Sequence, residues 1–151
     1  MRREANAPLE EREMIGVAAR TAIAVAQTER SLASGVARAA MRCRWPIYTQ
    51  SEPGMVRTVL LGGTRVLIVQ LDEGPGIALG LISRLRGHIS PVLCVAVDQV
   101  GGVQREISAR QAGAAAYIGG VGESEEIERI AKSLEEACAA REAVRVGTRV
   151  A

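Results

Sequence analysis

The apolar residues of this chain fall into short unbroken runs separated by stretches of helical periodicity. Ala22-Ile-Ala-Val-Ala26, Val66-Leu-Ile-Val69 and Pro91-Val-Leu-Cys-Val-Ala-Val97 are such runs. Continuous rather than alternating runs belong to strands covered on both faces. The pattern predicts strands at 21–26, 45–49, 64–70, 91–97 and 114–118. Between them apolar residues recur every three or four positions, which lines one face of a helix. Leu32, Val36, Ala39, Ala40 and Cys43 make this stripe over 29–43. Val56, Val59 and Leu60 do so in a helix that Ser51 and Pro53 open and Gly62-Gly63 ends. Ile77, Leu81 and Leu85 point inward over 77–86, and Gly113 ends a helix at 103–112. Ser124 caps a long acidic-faced helix to about Arg141, with Ile127, Ile130, Leu134 and Cys138 inward.

Five strands alternating with five helices predict an α/β fold, a flavodoxin-like parallel sheet with helices on both faces. An extra helix around Leu9–Ala19, with apolar Leu9, Met14, Ile15 and Ala18, precedes the first strand. The organisation expected is an N-terminal extension at 1–20, one domain at 21–141 and a basic, mildly β-prone tail at 142–151. In such sheets ligands bind beyond the carboxyl ends of the strands, so candidate chemistry lies just after each strand.

Composition narrows the function. The 151 residues suit one domain with a real core, 48% are hydrophobic, Phe is absent and aromatics are 2%. The core must be aliphatic, with thin side-chain layers. The net charge of +2 and the lack of aromatic platforms argue against a nucleic-acid partner. Cys43, Cys94 and Cys138 are odd in number and lack metal-ligand spacing. They read as reduced thiols, and with no signal core and no run of membrane-span length the expected compartment is the cytoplasm, without membrane insertion. The heavy use of Ala, Arg, Gly and Val is that of a bacterial chain.

Three stretches carry a family likeness: Ala22-Ile-Ala-Val-Ala-Gln-Thr-Glu29, Pro91-Val-Leu-Cys-Val-Ala96 and Ala109-Arg-Gln-Ala-Gly-Ala-Ala-Ala-Tyr-Ile118. From about Thr21 to Ala140 the chain resembles a bacterial response-regulator receiver domain of two-component signal transduction. The resemblance implies an acidic Mg²⁺-binding pair after the first strand, an aspartate nucleophile ending the third, a hydroxyl after the fourth and a lysine after the fifth. The matching residues here are Gln27 and Thr28, Gln70, Ala96, and Gly120, with Val121 where a proline is usual. A hard cation wants carboxylates, and glutamine cannot form an acyl phosphate. Losing metal ligands, nucleophile, hydroxyl and cation together leaves nothing to stabilise phosphoryl transfer. The expectation is a degenerate receiver, or pseudo-receiver: not an enzyme, with no catalytic residue, metal or cofactor. Tyr117 matches the receiver's switch aromatic, its partner hydroxyl replaced by Ala96.

Some features point elsewhere. Asp72 lies on the Gln70 side of an extended strand, and a register slip would make it an alternative phosphoacceptor. Gly119-Gly-Val-Gly122 precedes a helix and resembles an anion cradle, but Glu123, Glu125 and Glu126 would repel phosphate. The stretch also looks like part of a cobalamin-binding domain, whose cobalt-ligating histidine loop is not found here. A sensor of a small molecule or nucleotide at the strand ends is therefore a third reading. His88 has no evident triad partner. The Arg38, Arg42 and Arg44 cluster reads as a solvated face, and Glu125, Glu128, Glu135 and Glu136 as solvated or facing a basic partner. The leading expectation is a phosphorylation-independent interaction module. Its partner is a protein, including a second copy in a dimer or larger assembly. The resemblance places the contact on the 103–112 helix, the fifth strand and the last helix, through Ile107, Arg110, Tyr117, Ile127 and Lys132. The N-terminal helix is a second contact.

Overall fold

In a computed structural model the described residues are 22–26, 32–50, 54, 56–57, 59, 63–71, 74–86, 92–120 and 123–150, with side chains to residue 140. The strands are β1 (Ala22–Ala26), β2 (Ile47–Thr49), β3 (Val66–Leu71), β4 (Leu93–Asp98) and β5 (Ala116–Gly119). The helices are α1 (Ser34–Cys43), α2 (Gly76–Arg86), α3 (Val103–Ala112) and α4 (Ser124–Val150). Val56, Arg57 and Val59 are also helical. All strand pairs are parallel, in the order β2-β1-β3-β4-β5.

Alternation along each strand sends side chains to two cores. Ile23, Val25, Leu67, Val69 and Leu71 meet Leu81, Ile82, Leu85 and Ala109 of α2 and α3. Ala22, Ala24, Val66, Ile68 and Val97 meet Val36, Ala39, Ile127 and Ala131 of α1 and α4. The alanines of β1, α1 and α4 keep this second layer thin, as an aliphatic core without Phe requires.

Several predicted boundaries move. Helix α1 begins at Ser34, so Leu32 lies before the helix, still packed on the core. β3 and β4 each end later than predicted, at Leu71 and Asp98. Ile77 is not inward but 62% exposed, and Ala78 and Ile82 take the buried positions beside Leu81 and Leu85. The tail is not strand-like: α4 runs unbroken through 142 to Val150. Arg44 closes α1 in the left-handed conformation, its N–H donating to the Ala40 carbonyl. The extra N-terminal helix lies outside the described residues.

Candidate functional site

β3 brings Gln70 to the carboxyl end of the sheet, where alternation with Val66 and Ile68 turns it toward α1. Its side chain is 0% exposed, and its Oε1 accepts the Ala33 N–H at 2.6 Å. Ala33 is the N-cap residue of α1 and offers no side-chain cap of its own. An amide oxygen from another element thus takes an N–H at the helix entry. Ala96 is buried at the level of Val69, a residue before Gln70. Gly120 follows β5 with φ 76°. Gln27, Thr28 and Asp72, expected at this end of the sheet, and His88, expected in a helix-to-strand turn, lie outside the described residues.

One cluster was missed by sequence reasoning. Asp98, the last residue of β4, is 0% exposed. Arg105 of α3 grips it with both arms, Nε to Oδ2 at 2.7 Å and Nη2 to Oδ1 at 3.0 Å. The Tyr117 hydroxyl donates to Oδ2 at 2.7 Å, and the Val100 N–H donates to Oδ1 at 3.1 Å. Burial pushes the Asp98 pKa up, but bonds from Arg105 and Tyr117, the guanidinium charge and the Gly101 amide outweigh it. The carboxyl is held below its ordinary range. Burial, then the bond and charge of Asp98, push Tyr117 up to about 12. Both groups are therefore fixed at neutral pH as carboxylate and phenol. A bidentate pair closed by the Tyr117 hydroxyl and backbone amides leaves the carboxylate committed to structure.

The loops are cut to fit this cluster. Gly101 has φ 77°, and a Cβ there would meet the Gly120 nitrogen at 3.0 Å, so the β4–α3 loop rests on the turn after β5. A Cβ on Gly119 would meet Tyr117 Cε2 at 2.8 Å and its hydroxyl at 3.2 Å. The Gly119→Ala variant must push the ring off Asp98 and is expected to lose about 1–3 kcal/mol. In a Tyr117→Phe background, with no hydroxyl bond to break, the loss should shrink, which urea midpoints of the double-mutant cycle would read.

The five residues expected to form a contact surface do not share one face. Ile107 is 41% exposed on α3, and exposed Arg110 pairs with Glu106 at 3.0 Å. Half-buried Tyr117 is held on Asp98. Ile127, by contrast, is 0% exposed and packs under α4, because its stripe faces the sheet. Exposed Lys132 lines a groove toward α1 rather than the β5 edge. The apolar residues open to solvent near Ile107 in sequence are Val100 and Val103, at 54% and 76%, spaced three and four apart. The acidic face of α4 partly meets its own chain: Arg42 lies 3.1 Å from Glu128 and 3.5 Å from Glu125.

The thiols of Cys94 and Cys43 do not point to reactive chemistry: burial pushes Cys94 up to about 12, and burial and Glu128 raise Cys43. Among the described residues no group of three or more His, Cys, Asp or Glu is placed to hold a metal ion. Among them too, no helix is long and apolar enough to cross a membrane.

By sequence the chain matches no family model and no curated protein. By fold it is similar to solved receiver domains. The signal receiver domain of a protein assigned as a Luxo repressor, from Vibrio parahaemolyticus, gives a TM-score of 0.64 at 11% identity. It covers 82% of this chain and 95% of that one. NtrX from Brucella abortus, solved with ADP, gives 0.63 at 15% identity over 82% of this chain and 28% of that one. A protein assigned as pilus assembly-related, from Burkholderia pseudomallei, gives 0.57 at 20% identity, covering 78% of this chain and 90% of that one. At these identities the likeness is one of fold: the chain has the flavodoxin-like receiver fold.

Proposed function

From the premise of a receiver fold, we propose that this chain is a pseudo-receiver, a regulatory module that binds protein partners without being phosphorylated. The observation that carries this reading is Gln70. It occupies the position that the receiver resemblance assigns to the nucleophile, and its carboxamide is buried and bonded to the entry of α1. An amide there neither accepts a phosphoryl group nor adds charge for Mg²⁺. The Asp98 cluster complements it. A switch aromatic needs two positions, and Tyr117 is tied to a carboxylate that Arg105 in turn holds. The module therefore presents one standing surface. We place the contact on the α3–β5 side, with Val100, Val103, Ile107 and Arg110 as its residues and a second copy of the chain among its partners. The N-terminal segment is a second contact element.

Incubation with acetyl phosphate and Mg²⁺, followed by intact mass and light scattering on the same sample, tests the proposal. No phosphoryl adduct is expected, and the association state should match that of untreated protein. An adduct that disappears in Asp72→Ala would overturn the reading and make the chain a phosphoacceptor. A monomer at high concentration would remove self-association from it.

A further inference from the structure

A groove runs between α1 and α4 at the start of β1, away from the strand ends just described. Ala22, Cys43, Trp45, Ala131, Lys132 and Glu135 line it, together with Glu128, and its volume is about 290 Å³. Its walls are mainly apolar: the first residue of β1, the indole that follows α1, and the alanine that α4 turns inward. Lys132 and Glu135 add one charge of each sign. That volume is at the lower limit of small-molecule pockets and suits inserted aliphatic side chains.

We infer that residues 9–20 of the same chain dock in this groove, with Met14, Ile15 and Ala18 against Trp45 and Ala131. Three observations favour this occupant. First, the segment joins the described fold at Ala22, which is itself a groove residue. Thr21 and Arg20 therefore lie within two Cα steps, of 3.8 Å each, of the groove wall. A tether this short gives a local concentration in the millimolar range, which an unlinked partner must exceed. Second, on a helix Met14, Ile15 and Ala18 share one side, while Glu13 and Arg20 fall on the other. One narrow apolar stripe thus meets one narrow apolar groove. Third, the segment carries both signs, with Arg12 and Arg20 among Glu10, Glu11 and Glu13, as the groove does with Lys132, Glu128 and Glu135. Neither side therefore presents a block of a single sign to the other. This inference stands independently of whether the domain takes a phosphoryl group.

Native Cys43 lines the groove, and Cys94 and Cys138 are buried, so the full chain carries its own reporter thiol. Ile15→Cys and Glu13→Cys variants would be oxidised with diamide, then resolved by non-reducing electrophoresis and peptide mass mapping. The expected result is a disulfide between positions 15 and 43 within one chain, with much less product from position 13. A disulfide only between chains would overturn the inference, since the groove would then be filled by a second copy. Equal or absent cross-linking from the two positions would overturn it as well. Trp45 is the sole tryptophan and reads the same site without cross-linking. Met14→Asp in the full chain should shift its emission to the red and raise acrylamide quenching. Unchanged emission and quenching in a variant with native circular dichroism would also overturn the docking.

Discussion

Replacing Asp98 by alanine is expected to destabilise the protein by about 3–5 kcal/mol, although the residue touches no ligand. The loss is not that of one weak contact. Asp98 is fully buried, and its removal strands a guanidinium that is only partly exposed, together with the Tyr117 hydroxyl and the Val100 N–H. Tyr117→Phe removes one donor and keeps the ion pair, so its loss should be smaller, about 1.5–3 kcal/mol. The pH dependence follows from the direction of each shift. Asp98 is lowered in the fold, so its contribution is present above the unfolded carboxyl pKa of about 4 and is lost as pH falls through the lower folded value. Tyr117 is raised, so its contribution is present below the unfolded phenol pKa of about 10 and lost as pH rises through about 12. The gap between the urea midpoints of wild type and Asp98→Asn should be widest at neutral pH and narrow as the pH falls below the unfolded carboxyl value of about 4. Equal midpoints at neutral pH would mean that the cluster holds nothing.

Ile127→Ala should cost about 2–5 kcal/mol, whereas Ile107→Ala should change stability by no more than about 0.5 kcal/mol. The two isoleucines were paired in the expected contact surface, and the fold separates them. Ile127 fills the layer between α4 and the sheet beside Val97 and Ile118. Around it lie alanines and valines, whose short side chains cannot swing into the space left behind, so the cavity term is retained. Ile107 stands on the outer side of α3. Under the proposed self-association, light scattering should respond in the opposite order: Ile107 variants should weaken association with little change in thermal midpoint. Matching stability losses at both positions would contradict this placement.

The strand pattern was legible because Ala22–Ala26, Val66–Val69 and Val92–Val97 are short unbroken apolar runs, a composition that suits strands covered on both faces. The inward stripe of α4 was legible from its spacing of three and four residues, which turns Ile127 inward. Placing Ile127 on a contact surface as well came from the resemblance, not from the stripe. Ile77 failed because the buried stripe of α2 runs through Ala78, Leu81, Ile82 and Leu85, and Ile77 lies about a quarter turn to one side of it. The tail failed because its alternating Val and Arg residues fit an extended strand as well as a helix, and continuation from α4 decided between them.

The chain alone determined the kind of fold and the absence of an aspartate at Gln70, since both depend on residue type along short stretches. It left Asp98 unremarked, as one acid in a loop thought to begin after Val97. One more strand residue turns that side chain into the protein, where Arg105 and Tyr117, 7 and 19 positions away, converge on it. The separation of Ile107 from Ile127 and the groove beside Ala22 are of the same kind. Each depends on which helix face meets the sheet and on which distant segments become neighbours. Burial and pairing across long sequence separations are properties of the packed chain, and only the tertiary structure decided them.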